Sequence, residues 1–132
     1  RYAVSIMFDH NKYLAGKYLE GGRVWPFVDC YGLVLEVRRD LGLPDWPEWA
    51  DIRAGDGSMV GVAGKWFPSL TLCEPQEGAL IALYQGSEMR HVGVVVRCGA
   101  SLEAMEITEK QSTICLPLHR LKRRFVRVEY YK

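Results

Sequence analysis

From residue 78 onward the chain breaks into five short apolar segments: ALIALY (79–84), HVGVVVR (91–97), SLEAMEI (101–107), STICLPL (112–118) and FVRVEYY (125–131). Each is β-branched, aromatic or alternating, and each is separated from the next by Gly, Ser or Pro, the pattern of successive strands joined by turns. Short connections make chain neighbours run antiparallel, so this half predicts a single antiparallel sheet. The preceding half carries a different period. In VDCYGLVLEVRRDLGL (28–43), Leu33, Val34, Val37 and Leu41 recur at helical spacing, while Glu36, Arg38, Arg39 and Asp40 take the other side. Asp29 is suited to cap this helix and Gly42 to end it. A first helix is predicted over DHNKYLAGKYLE (9–20), capped by Asp9 and stopped by Gly21 and Gly22. Helices first and strands afterwards predict an α+β domain in which the helices pack on one face of the sheet.

A chain of 132 residues, 48% hydrophobic and 11% aromatic, is enough for one core, so residues 1–132 read as a single domain. The 17 basic and 16 acidic side chains nearly cancel, which gives no global attraction to a polyanion. The basic cluster Arg120, Lys122, Arg123, Arg124 and Arg127 lacks interleaved stacking aromatics, and so reads as a solvated face or docking patch rather than a nucleic-acid site. No run approaches the roughly 18 apolar residues of a membrane helix. No signal-peptide pattern is visible either, and the chain begins at Arg1. The four cysteines, Cys30, Cys73, Cys98 and Cys115, form no CxxC pair, so no metal ligand set and no cofactor are expected, and mostly reduced thiols are. The connection LPDWPEWADIRAGDGS (43–58) is rich in Pro, Asp and Gly, with Trp46 and Trp49 suited to pin it to the body. Residues 59–72 carry no clear period.

Cys30 falls in the first turn of the predicted second helix, where backbone N–H groups and the positive end of the helix dipole favour thiolate. Of the three histidines, His10 lies in a polar segment and His119 in a basic tail. His91 opens the strand HVGVVV and therefore has a rigid platform from which to act as base. A third group should orient the imidazole. With RCG (97–99) as a three-residue hairpin loop, Gly93 falls opposite Glu103, and His91 and Glu103 become diagonal neighbours on one sheet face, roughly 7 Å apart at the backbone. That placement depends on register, because a two-residue loop would turn Glu103 to the other face.

The segments YLAGKYLEGGRVWPFVDCYGLVLEV (13–37), PQEGALIALY (75–84) and HVGVVV (91–96) together resemble the NlpC family of papain-like bacterial cell-wall cysteine peptidases. DCYGLV followed by LGLPDWP is most similar to the branch found in phage and prophage tail proteins. The resemblance implies a circularly rearranged papain-like fold, with N-terminal helices packed on a five- or six-stranded antiparallel sheet. It implies hydrolysis of peptidoglycan stem-peptide amides, commonly between D-Glu and diaminopimelate, with Cys30 as nucleophile and His91 as base. Tyr18 matches a tyrosine lining the family's active site that can help hold the oxyanion, and Asp29 an acid that in some members binds the substrate's free amine. Tyr31 stands beside the nucleophile where the family usually has serine and is a further candidate for substrate or oxyanion binding, and Glu103 stands at a third catalytic position that is usually histidine or another polar residue. The implied setting is a phage tail tip, with tail-tip proteins as partners, or the bacterial periplasm and cell wall. Two other readings fit the same residues: an acyltransferase on the Cys-His core, and a non-catalytic tail or wall-binding module.

Overall fold

The structure is a computed structural model that describes residues 8–49, 61 and 64–132. Part of the Trp46/Trp49 connection and of the aperiodic stretch after it therefore lies outside the described residues, as does Arg1. Helix α1 is a single turn (His10–Tyr13), with the Asp9 side chain accepting from the Asn11 amide at 3.0 Å. The predicted continuation to residue 20 does not form. In its place comes β1 (Lys17–Tyr18), which joins β2 (Arg23–Val24) and β3 (Phe27–Val28) from the segment after Gly22 in a small sheet of two-residue strands, order β1-β3-β2. Tertiary pairing overrides helix propensity here. The Lys17 amide donates to the Pro26 carbonyl at 2.8 Å and the Leu19 amide to Val28 at 3.0 Å. Gly16 lies so close to its neighbours that a Cβ would stand 2.5 Å from Thr113 Oγ1 and 2.9 Å from the Trp25 ring.

Helix α2 (Cys30–Asp40) follows the predicted period. It ends in a Schellman turn: Gly42 adopts φ of 72°, its amide donates to Arg39 at 3.0 Å, and the Leu43 amide donates to Arg38 at 2.9 Å. Arg38 departs from the expected solvent side. It is buried, its guanidinium donating to the Gly78 carbonyl at 2.9 Å and the Pro44 carbonyl at 3.2 Å while lying 3.5 Å from the Trp46 ring centroid. Trp46 packs in turn on Trp66 at 5.1 Å, so this part of the connection is pinned as expected. Helix α1 is tied to α2 by Lys12, which bridges Glu36 and Asp40, and by the Tyr13 hydroxyl on Asp40.

The second half forms the antiparallel sheet. Strands β4 (Leu80–Gln85), β5 (Glu88–Cys98), β6 (Ser101–Thr108), β7 (Gln111–Pro117) and β8 (Arg127–Tyr131) are ordered β7-β6-β5-β4-β8. A 3₁₀ segment, Leu118–Arg123, carries the chain from one edge to the other. One face holds Val92, Val94, Val96, Met105 and Ile107 against Leu33, Val34 and Val37 of α2. Full burial of each such aliphatic side chain contributes about 1.5–3 kcal/mol, which fixes α2 to the sheet. The opposite face buries Ile81, Leu83, Val95 and Ala104 beneath Leu121 and Phe125. The architecture is thus α+β, a five-stranded antiparallel sheet with its main helix on one face. No helix among the described residues is long and apolar enough to cross a membrane.

Close approach at the start of α2 generates a stability prediction. A Cβ at Gly32 would come 2.3 Å from the Gly22 carbonyl oxygen and 3.0 Å from Val28 Cβ. Gly32→Ala gains at most about 1 kcal/mol of helix propensity. It forces the backbone of the small sheet away from the helix, an overpacking cost of about 1–3 kcal/mol or more. The variant should unfold at lower urea concentration than the parent; an unchanged or higher midpoint would contradict this packing.

Candidate active site

Cys30 is the first residue of α2 and is 1% exposed. Its position is set by Asp29, whose Oδ1 accepts from the Gly32 amide at 2.9 Å and pairs with Arg23 Nη1 at 2.6 Å, while Oδ2 accepts from the Gly21 amide at 3.0 Å. One buried carboxylate therefore caps the helix, neutralises a buried guanidinium and closes the loop before β2. The expected amine-binding role for Asp29 is not what its surroundings provide, because its oxygens already hold these partners. Tyr31 is likewise turned away from a substrate role. It is buried, donates its hydroxyl to the Pro47 carbonyl at 2.6 Å and packs edge-on against Trp66.

His91 sits at a bulge. Leu83 pairs with His91 but Tyr84 pairs with Met89, so Arg90 is an extra residue in β5. The insertion changes the alternation, leaving Met89 and Val92 in the same core cluster, and re-aims the side chain between them. The imidazole and the Cys30 thiol line the same cleft. Its Nε2 is 3.1 Å from Glu106 Oε1, which leaves Nδ1 as the ring nitrogen for the thiol. Glu106 is 1% exposed, and its second oxygen accepts from Arg124 Nη2. Burial by itself pushes the imidazole down, but the hydrogen bonds and charges of Cys30 and Glu106 outweigh it and raise His91 to about 9. Burial pushes Glu106 up, and its bonds to His91 and Arg124 more than reverse this, holding the carboxyl below its ordinary value.

The orienting carboxylate is thus Glu106 and not Glu103, and the reason is register. Cys98 pairs with Ser101, so the hairpin turn has two residues, Gly99 and Ala100, with Gly99 at φ of 62°. Glu103 then pairs with Val96, and the same register continued past Val94 and Met105 sets Gly93 opposite Glu106. A Cβ on Gly93 would come 3.1 Å from the Met105 carbonyl and 3.8 Å from Glu106 Cβ, so the absent side chain leaves the histidine's neighbour room. The diagonal relation expected between His91 and an acid on the next strand holds, three residues further along. A signal for Glu106 was present in the sequence: a glutamate flanked by Met105 and Ile107 in an apolar strand must be paired if it is buried.

Cys30 and His91 open on a cleft of about 250 Å³ lined also by Tyr18, Glu20, Arg90, Ile107, Thr108 and Glu109. Through Tyr18, Thr108 and Glu109 it adjoins a second groove of about 570 Å³ bordered by Lys17 and Gln111. Burial, with the nearby Cys30 and Asp29, pushes the Tyr18 phenol up to about 12, so at neutral pH it keeps its proton and lines the cleft as a hydrogen-bond donor. The other cysteines are not poised as nucleophiles. Burial raises the Cys73 and Cys98 thiols, and burial with Cys98 and Glu103 nearby pushes Cys115 up to about 12. Of the basic cluster, Arg124 is engaged by Glu106, and Arg127 stacks 3.8 Å from the Tyr84 ring centroid. Comparison with protein-family models, curated proteins and solved structures finds no significant match.

Two measurements test this geometry. The folded His91 value lies above the ordinary 6.5, so its imidazolium stabilises the fold fully below about pH 6.5, and that stabilisation is lost as pH rises through about 9. NMR titration should place His91 near the higher value, and Glu106→Gln should move it down towards 6.5; an unmoved titration would reject the pairing. Asp29→Ala strips a buried guanidinium of its partner and should cost about 3–5 kcal/mol in denaturant unfolding. Asp29→Asn keeps a capping oxygen and should lose less. Equal losses for the two variants would show that the cap contributes nothing.

Proposed function

We propose that the protein is a cysteine peptidase of the NlpC type that hydrolyses stem-peptide amides of peptidoglycan. The observation that carries this reading is a cleft lined by Cys30, at the first turn of α2, and by His91, whose imidazole is bonded to a buried Glu106 neutralised by Arg124. Resemblance to the family in the segments around Cys30 and His91 supplies the substrate class. An α2-on-sheet arrangement, with the thiol on the helix and the imidazole on a strand, is what a circularly rearranged papain-like fold requires. A phage-tail or cell-wall setting follows from the DCYGLV and LGLPDWP text.

Mechanistically, the Cys30 thiolate attacks the amide carbonyl carbon while the protonated His91 waits beside it. The carbon–sulfur bond forms as the carbonyl π pair moves to oxygen, where the Tyr18 hydroxyl is suited to donate to the oxyanion. Collapse of the tetrahedral species breaks the carbon–nitrogen bond, and His91 gives its proton to the leaving amine. Neutral His91 then takes a proton from water, which attacks the thioester and releases the acid and Cys30. Glu106 does not touch the substrate. As a positioning residue it selects the ring orientation and stabilises imidazolium.

Purified protein incubated with muropeptides, with products analysed by mass spectrometry, tests the proposal. Cleavage of a stem-peptide amide is expected, with Cys30→Ala and His91→Ala abolishing it. Glu106→Gln should lower kcat by about 10²–10⁴ and shift the alkaline limb of the pH profile downward, whereas Glu103→Gln should retain near-parental peptidase rates. Acyl exchange without net hydrolysis, or turnover that survives Cys30→Ala, would overturn the assignment.

A further inference from the structure

Away from the Cys30–His91 cleft, the β5–β7 sheet gathers a second set of reactive side chains. Cys98 Sγ, Cys115 Sγ and a Glu103 carboxylate oxygen all lie within 4.8 Å of one another. His10 Nε2, from the start of α1, is 3.3 Å from Cys98 Sγ. The strand register explains the gathering. Cys98 pairs with Ser101 and Cys115 with Met105, and Glu103 stands midway between those partners on the same face of β6. The Phe8 ring meets the His10 ring edge-on at 4.8 Å and helps hold it over this corner.

We propose that His10, Cys98, Glu103 and Cys115 form a binding site for a thiophilic divalent cation, with Zn²⁺ as the best fit. Two sulfurs, one imidazole and one carboxylate are the donor types zinc selects, and four is its usual coordination number in a closed structural site. Tetrahedral Zn–S bonds of about 2.3 Å set sulfur–sulfur edges of about 3.8 Å, so Cys98, Cys115 and Glu103 need only a small contraction, while His10, in contact with Cys98, must swing further to complete the set. A disulfide is a poorer fit. Strand β6 lies between the two cysteines. Two strand spacings of about 4.8 Å exceed the roughly 6.8 Å upper limit on Cα separation in a disulfide. Cys115 is exposed as a residue while its sulfur is partly covered beside Cys98 and Glu103, so an ion can enter from its side. Bound there, the ion would cross-link the one-turn α1 to three strands and stabilise the fold; binding exchanges thiol protons for metal–sulfur bonds and involves no change of oxidation state.

The test uses Zn²⁺ and Co²⁺ on the whole, reduced chain, first unaltered and then on a Cys30→Ser background that removes binding at the cleft. In the unaltered chain, Zn²⁺ should protect Cys98 and Cys115 from alkylation while leaving Cys73 unprotected, as read by mass spectrometry. Co²⁺ should bind one equivalent on the Cys30→Ser background with thiolate charge-transfer absorption, lost in Cys98→Ser and Cys115→Ser. His10→Ala should weaken binding by at least the roughly tenfold lost when only a hydrogen-bond partner of a metal ligand is removed. Zn²⁺ should also raise Tm on that background. Equal alkylation of Cys98 and Cys115 with and without Zn²⁺ would overturn the site. So would Co²⁺ absorption that persists without these two sulfurs, or recovery of a Cys98–Cys115 disulfide in place of a metal complex. The alkylation arm needs no variant and therefore stands even if a substitution fails to fold. None of these readouts depends on peptidase activity.

Discussion

The Asp29 carboxylate joins helix α2, the loop before it and the small sheet at one point. It accepts from the Gly32 amide at the start of α2, from the Gly21 amide in the preceding loop and from the Arg23 guanidinium of β2. Arg23 passes the constraint on, donating to the Glu48 carbonyl at 2.6 Å and the Trp49 carbonyl at 3.1 Å. A small sheet of two-residue strands has little cohesion alone. Here it is held because its ion pair is buried and because Gly22 and Gly32 bring its backbone into contact with the helix. Cys30 inherits its placement from that junction: the residue after a cap must enter the first helical turn, among N–H groups that favour negative charge.

A second buried carboxylate organises the other half of the site. Glu106 is shared between His91 and Arg124, so its charge is balanced on both sides. The arrangement links layers that would otherwise be independent. Arg124 comes from the segment covering the far face of the sheet, His91 from a bulge in β5, and Cys30 from the helix on the near face. A buried carboxylate with one partner would be costly; with two it becomes a rigid reference for the imidazole. The geometry therefore supports a nucleophile–base pair, and the proposed peptidase activity rests on that pair together with the family resemblance.

Much of the fold was legible in the sequence. The five strands and the helix from Cys30 to Asp40 follow from periods of 2 and 3.6, and the ends of that helix from Asp29 and Gly42. The end of the first helix is not legible, because residues 14–20 have adequate helix propensity and nothing local announces that Pro26 and Val28 will claim the Lys17 and Leu19 amides. Arg38 leaves the solvent side of α2 for a related reason. A charged side chain reads as solvent-facing until Trp46, Gly78 and Pro44 are known to surround it.

The candidate site divides along the same line. That Cys30 would begin a capped helix, and that His91 would stand on an apolar strand, were determined by residues adjacent to them in the chain. Which acid would stand behind the histidine was not, since a two-residue turn at 99–100 in place of a three-residue turn at 97–99 moves the register by three and exchanges Glu103 for Glu106 without altering any strand's own pattern. The same register carries Glu103 to Cys98 and Cys115, a gathering that no linear spacing of these cysteines announces. Local periodicity is written by near neighbours in sequence. Register, and the meeting of side chains across strands, depends on the turn and on what the whole sheet buries, and only the tertiary structure decides it.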